Sequence, residues 1–344
     1  MKVRDRGITI GNFPIGTKNC ITDVAGVKVG HVTLQYPLEH GGAVCTGVTA
    51  ILPHGGNLFT EKVTAASYVL NGFGKTTGLI QMDELGVIES PIMLTNTFAV
   101  PVVTNGTLMY MLDQNKEIGH TTGTINIVVG ECNDSQLNSI RTLPVEPKHA
   151  VEAIETASDR PTAEGAVGAG TGMVCFGYKG GIGSSSRIVE HAEGEFKVGC
   201  LVLTNFGKKE ELQREKYGLY VDNEPSKRPN DGSIMIIFAT DAPVSSRQLK
   251  RMIKRCGIGL GRTGSHFSHG SGDIVIGFTT AYKIPHFTDD LFETRQQIRD
   301  DHPVMNELCT AAAEVTEEAI LNSLSQAVDT TGRNGTTVKA LRFK

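Results

Sequence analysis

The sequence predicts an α/β sandwich with helices outside a pair of sheets, and three observations predict it. Short apolar runs over residues 44–52, 124–129, 173–178, 196–203, 233–239 and 273–279 read as buried strands, some covered on both faces. Helical spacing lies between them. The order of elements lacks the regular βαβ rhythm of a parallel sheet, which leaves a layered sandwich as the architecture that buries both kinds of apolar face.

Each element has its own signal. VCTGVTAIL, FKVGCLVL, SIMIIFA and DIVIGFT are apolar or β-branched nearly throughout, as central strands are. Val63, Ala66, Ser67 and Leu70 recur at helical spacing, which predicts a helix there. Leu249, Met252, Ile253 and Cys256 predict another, capped by Ser245 or Ser246 and stopped by Gly257. A third, longer helix is expected from about 304 to 327. Residues 208–231, KKEELQREKYGLYVDNEPSKRPND, are dense in charge without strand patterning and read as the most open stretch.

Composition narrows the function. The chain has 344 residues, 39% hydrophobic and 20% charged, enough for a sizeable core. Its 33 basic and 37 acidic side chains leave a net charge of -4 without any long block of one sign, which argues against nucleic acid as a partner. No stretch approaches the ~18 apolar residues of a membrane span, and the basic start has no apolar run after it, so no membrane association and a cytoplasmic location are expected. Seven scattered cysteines, an odd number without any CxxC pair, read as reduced core thiols.

The sharpest local feature is Asp231-Gly232-Ser233, where a charged loop ends at a serine that opens an apolar run. A hydroxyl there can attack the carbonyl before it, shift the chain from nitrogen to oxygen, and free a new terminus when water hydrolyses the ester. The freed α-amine, with an ordinary pKa of about 7.7 to 8.0, can then act as base for the same residue's hydroxyl. Pattern alone favours the plainer reading, in which Ser233 begins a strand after a turn.

Two glycine- and serine-rich stretches, residues 180–187 and 264–273, read as loops able to offer hydroxyls and N–H groups to an oxyanion. In the second, the spacing of Ser271 and Asp273 sets both side chains on one strand face. Tight turns satisfying their own backbone explain such stretches equally well. His266 and His269 with Asp273 make a weak metal set, lacking a third nitrogen or sulfur ligand, and no metal is expected. Gly74-Lys75-Thr76 lacks the earlier glycine of a P-loop, and residues 259–264 follow a helix instead of a strand. No GxSxG elbow anchors a Ser-His-Asp triad.

These residues fall within blocks that resemble the DmpA/BapA-type aminopeptidases, peptidase family S58, nearly from end to end. The blocks include RGITIGNFPIGTKNCITDVAGVKVGHVT, TGVTAILPHGGNLF, NGFGKTTGL, ESPIMLTNT, EGAVGAGTGMVCFGYKGGIGSSSR, NDGSIMIIFATDAP and GSGDIVIGFTT. The resemblance implies a single N-terminal-nucleophile-like αββα domain, residues 1–344, that cuts itself between Gly232 and Ser233 into pieces 1–232 and 233–344. It implies Ser233 as nucleophile, Asn205 in LTNFG as oxyanion donor, and Ser271 with Asp273 as holders of the new α-amine. Glu131 in VVGECND matches the glutamate that receives the substrate's amino group. Some relatives carry tyrosine two residues later, where this chain has Asn133, which leaves oxyanion and substrate preference open there, and the loop around Ser135 and Gln136 lacks the expected glycine and aromatic residue, which leaves the preference for α- or β-amino acids open. No cofactor is expected. The implied substrates are small peptides, amides or esters, and the implied assembly is a homo-oligomer of αβ units. An acyltransferase resembling ornithine acetyltransferases is the rival enzyme, although its nucleophile is threonine; a binding protein that kept the fold is the rival from another class.

Overall fold

In the computed structural model, which describes residues 1–220 and 232–343, the apolar runs resolve into two sheets packed face to face. One has four strands in the order β1-β2-β5-β6: β1 (Lys28–Pro37), β2 (Ala43–Leu52), β5 (Ile92–Asn96) and β6 (Val128–Cys132). The other has six in the order β4-β3-β12-β11-β10-β9: β3 (Glu61–Gly72), β4 (Val87–Ile88), β9 (Gly181–His191), β10 (Gly194–Asn205), β11 (Ser233–Thr240) and β12 (Gly272–Pro285). Two short hairpins join β7 (Val174–Cys175) to β8 (Tyr178–Lys179) and β13 (Thr330–Thr331) to β14 (Thr337–Val338).

Helices cover both outer faces. Val48, Ala50 and Met93 pack under α2 (Val100–Gln114) and α3 (Pro147–Glu155). On the opposite side Val202, Ile234, Ile236 and Val275 pack under α4 (Ser246–Ile253), α5 (Cys256–Thr263) and α6 (Val304–Ser325). Between the sheets lie Val29, Ile51, Leu94 and Val128 against Val63, Leu203, Met235, Ile237 and Phe278. A short helix, α1 (Leu79–Leu85), borders β3. The predicted αββα layering is therefore the observed one.

Several expected elements are corrected. Residues 63–70 belong to strand β3, not to a helix. Val63 and Ala65 enter the inter-sheet layer while Ala66 joins the outer one, so burial on both faces hides the period of two. The helix expected to run to Cys256 ends at Ile253, with Ser245 accepting the Gln248 N–H as its cap, and Gly257 lies inside α5. The run at 173–178 is the β7–β8 hairpin, and that at 124–129 enters β6 only at Val128, where its pairing with β5 begins. In the stretch expected to be open, Leu212, Tyr217 and Leu219 are buried, and the Tyr217 hydroxyl donates to Glu317 of α6 at 2.8 Å. Residues 221–231 of that stretch lie outside the described residues.

Residues 180–187 are not an oxyanion loop but the start of β9, packed under α6. A Cβ on Gly183 would stand 2.0 Å from the Ala319 carbonyl oxygen, so only glycine fits there. The buried hydroxyls are consumed structurally: Ser184 donates to Cys200 O, Ser185 to Val315 O and Ser186 to Asp23. Arg187, wholly buried, donates to Glu314 at 3.0 Å, to Glu318 at 2.7 Å and to Ile10 O at 2.7 Å, binding the N-terminal segment to α6. Removing one partner of such a network strands the others without water. Arg187→Met should cost about 3 to 5 kcal/mol, read as a fall in urea midpoint with little change in slope. A stability within error of the parent would contradict this account.

Candidate active site

β11 runs between β10, antiparallel, and β12, parallel, and its first residue is Ser233. In this register Ser233 faces Asn205 on one side and Gly272 on the other. The row sits at one edge of the sheet because β12 starts where β11 starts and β10 ends there.

The peptide bond before Ser233 is gripped from two directions. Ser233 Oγ donates to Gly232 O at 2.6 Å, and the Gly272 N–H donates to the same oxygen at 3.1 Å while lying 3.3 Å from Oγ. The hydroxyl is thus beside a carbonyl that a backbone dipole already polarises. Glycine at 232 has a steric reason: a Cβ there would stand 2.6 Å from Phe206 Cα. Asp231, part of the pattern that drew attention to this place, lies outside the described residues.

Asn205, the last residue of β10, has both ends of its amide fixed. Its Oδ1 accepts the Val174 N–H at 3.0 Å, and its Nδ2 donates to Asn133 O at 2.8 Å. Asn133 itself is exposed, its side chain accepting the Ser135 N–H, so it meets the site through its backbone.

Ser271 and Asp273 come together as their spacing predicts. The Ser271 hydroxyl donates to Asp273 Oδ1 at 2.6 Å, and the other oxygen, Oδ2, is buried without a hydrogen-bond partner among the described residues. Burial pushes the Asp273 carboxyl up to about 6, and the Ser271 hydroxyl holds it back from rising further. Asn71, opposite Asp273 on β3, donates through Nδ2 to Ser271 O and approaches Ser268 O and His269 O at 3.1 Å each. It pins the turn that carries Ser271 and Gly272.

Glu131, on β6, is 3% exposed, and its carboxylate accepts the Lys75 N–H at 2.9 Å and the Thr97 hydroxyl. A Cβ on Gly74 would stand 3.7 Å from both Glu131 Oε1 and Gly272 Cα, so the carboxylate borders the Ser233 row. The Gly74-Lys75-Thr76 triplet therefore acts as a turn that holds Glu131. Sequence reasoning did not single out Asn71, Thr97 or Val174, although all three stand in the blocks that carry the resemblance. Residues 259–263 lie inside α5 and Gly264 caps its end, and among the described residues no cluster of three His, Cys, Asp or Glu side chains is arranged to hold a metal ion.

A hydroxyl beside a polarised carbonyl, a fixed amide, and two buried carboxylates are the parts of an acyl-transfer site. The comparisons agree. The profile of peptidase family S58 matches residues 19–338. Beta-peptidyl aminopeptidase BapA of Sphingosinicella microcystinivorans is 39% identical over 362 residues, which span 99% of this chain and 89% of that protein. The crystal structure of the PH0078 protein from Pyrococcus horikoshii OT3 superposes with a TM-score of 0.92 at 50% identity, covering 99% of this chain and 96% of that one. The L-aminopeptidase D-Ala-esterase/amidase of Ochrobactrum anthropi, a prototype serine aminopeptidase with a variant of the Ntn hydrolase fold, does so with 0.88 at 31% identity, covering 99% and 95%.

One consequence is measurable without substrate. A carboxyl whose folded pKa of about 6 exceeds its ordinary 3.8 weakens folding as pH rises from about 4 to 6, because the folded state holds the proton longer. In chain still joined at 232 and 233, Asp273→Asn should flatten that loss, seen as a smaller difference in urea midpoint between pH 4 and pH 7. An unchanged difference would refute the assignment.

Proposed function

The chain belongs to peptidase family S58, and from that premise we propose that it is an aminopeptidase and amidase that cuts itself before Ser233 and works through the freed residue. The observation that carries the proposal is the grip on the Gly232 carbonyl, with the Ser233 hydroxyl 2.6 Å from its oxygen and the Gly272 N–H on the same atom.

In the self-cleavage step, Ser233 Oγ bonds to the Gly232 carbonyl carbon, the C–N bond breaks, and the hydroxyl proton passes to the departing nitrogen. The Gly272 N–H steadies the negative oxygen between these events. Water then hydrolyses the ester, leaving a carboxylate on Gly232 and an α-amine on Ser233. When that amine takes up a proton it becomes a cation, which Asp273 Oδ2, unpartnered among the described residues, suits, with Ser271 fixing the carboxylate from its other oxygen.

Hydrolysis of substrate repeats the chemistry on a foreign carbonyl. The neutral α-amine takes the Ser233 proton as Oγ attacks, is held as an ammonium beside Asp273, then passes the proton to the leaving amine or alcohol. Asn205 and the Gly272 N–H serve as oxyanion donors, a role supported by their register on either side of Ser233. Glu131 receives the free amino group of the substrate; the two donors it already accepts are neutral, so its buried charge favours a cation. The substrates are short peptides, amides or esters with a free amine next to the cleaved bond.

The family relationship and the exposed apolar Leu291 (86%) and Phe292 (85%) also support a homo-oligomer. No helix among the described residues is long and apolar enough to cross a membrane. A cytoplasmic location rests on the sequence reading above.

Intact mass and N-terminal sequencing of the purified protein should give two pieces, the second starting at Ser233. Ser233→Ala should remain one chain of 36.9 kDa without hydrolytic activity, and a cut or active variant would sink the mechanism. For the amino-group site, Glu131→Gln should raise KM for aminoacyl amides and narrow the preference for free over N-acetylated amines by about tenfold or more, as loss of a charged partner does. An unchanged preference would remove Glu131 from this role.

A further inference from the structure

Lys179 is wholly buried, where an ammonium persists only if oxygen atoms replace its water. Its Nζ donates to three main-chain carbonyls, Gly170 at 2.9 Å, Met173 at 2.8 Å and Gly180 at 2.9 Å, one for each of its hydrogens. Burial lowers the amine to about 7, with Cys45, Cys175 and Asp134 pulling it the other way. These carbonyls belong to the chain entering and leaving the β7–β8 hairpin, so the side chain ties the two legs together.

The hairpin is a costly one to hold. It turns on Phe176 and Gly177 with φ of 50° and 71°, the paired positive values of a two-residue turn, and such a value is unfavourable for phenylalanine. What it presents is two donors aimed at the end of β10. The Val174 N–H goes to Asn205 Oδ1 at 3.0 Å and the Phe176 N–H to Phe206 O at 2.6 Å, while the two phenylalanine rings meet edge-on at 5.0 Å.

We infer that Lys179 is a positioning residue for catalysis: by clamping both legs of the hairpin it fixes the Val174 N–H, and through it the plane of the Asn205 amide beside Ser233. The inference rests on the reading of Asn205 as an oxyanion donor. It separates Lys179 from a residue that only stabilises the fold, because the effect must pass through one named side chain.

A double-mutant cycle tests it, with kcat for an aminoacyl amide taken per mole of processed chain. Lys179→Met should lower kcat about a hundredfold, the scale of a catalytic group misplaced by about 1 Å, and leave KM unchanged. In an Asn205→Ala background the same substitution should cost nothing more, since the group it positions is gone. Losses that multiply in the double variant, or full activity of Lys179→Met, overturn the inference. Full activity of Asn205→Ala alone overturns the oxyanion reading instead. If Lys179→Met does not fold, Val174→Pro, which deletes the donor to Asn205, enters the same cycle; full activity there, or losses that multiply, also overturn the inference.

Discussion

β11 is locked between an antiparallel and a parallel neighbour in a register that brings Asn205, Ser233 and Gly272 into one row, and the other site residues take their positions from it. The mixed pairing matters. A parallel β12 starts at the same edge as β11, which brings Ser271 and Asp273 to the serine, and an antiparallel β10 ends there, which brings Asn205. With β12 reversed, Asp273 would stand at the far end of the strand. Across the inter-sheet layer, β6 ends at the same edge and supplies Glu131, braced by Thr97 just beyond β5.

The strands beside the row are unusually polar for a core, and their buried groups are extensively hydrogen-bonded. Arg187 with Glu314 and Glu318, the three serines of β9, and Thr204 against Ser323 of α6 at 2.8 Å tie β9 and β10, the strands beside β11, to α6 and to the N-terminal segment. Each such group costs free energy if left unpaired, so alternative packings that break one bond are strongly disfavoured. Apolar packing gives the fold its stability; these bonds favour the arrangement in which Asn205, Ser233 and Gly272 are aligned.

Much of this was legible beforehand. Strands such as β2, β10, β11 and β12 carry apolar runs long enough to be read directly, and α6, expected from about 304 to 327, runs over Val304–Ser325. What misled was burial on both faces. β3 buries consecutive residues from Val63 to Ser67, which erases alternation, and β9 hides serines and an arginine that read as a loop until α6 is seen to cover them. The site divided in the same way. Ser271 and Asp273 are local, and their two-residue spacing set them on one strand face while leaving a plain turn equally good; their role, like that of Ser233, needed the resemblance, since a serine at a strand start is ordinary. Asn71, Thr97 and Val174 act through amide and hydroxyl bonds to residues far away in sequence, and no spacing rule reaches that far.

The strand order of the larger sheet has a further consequence for a chain opened between Gly232 and Ser233. The two strands that the second piece gives to this sheet, β11 and β12, are interior, flanked by β10 on one side and β3 on the other, and α6 lies across β9 and β10. The two pieces would stay interleaved like threads of one weave, parting only through general unfolding. Once parted, they must meet again by diffusion, so recovery would slow with dilution where an unopened chain's would not. An opened molecule thus keeps its form as an heirloom of the unbroken chain that folded first.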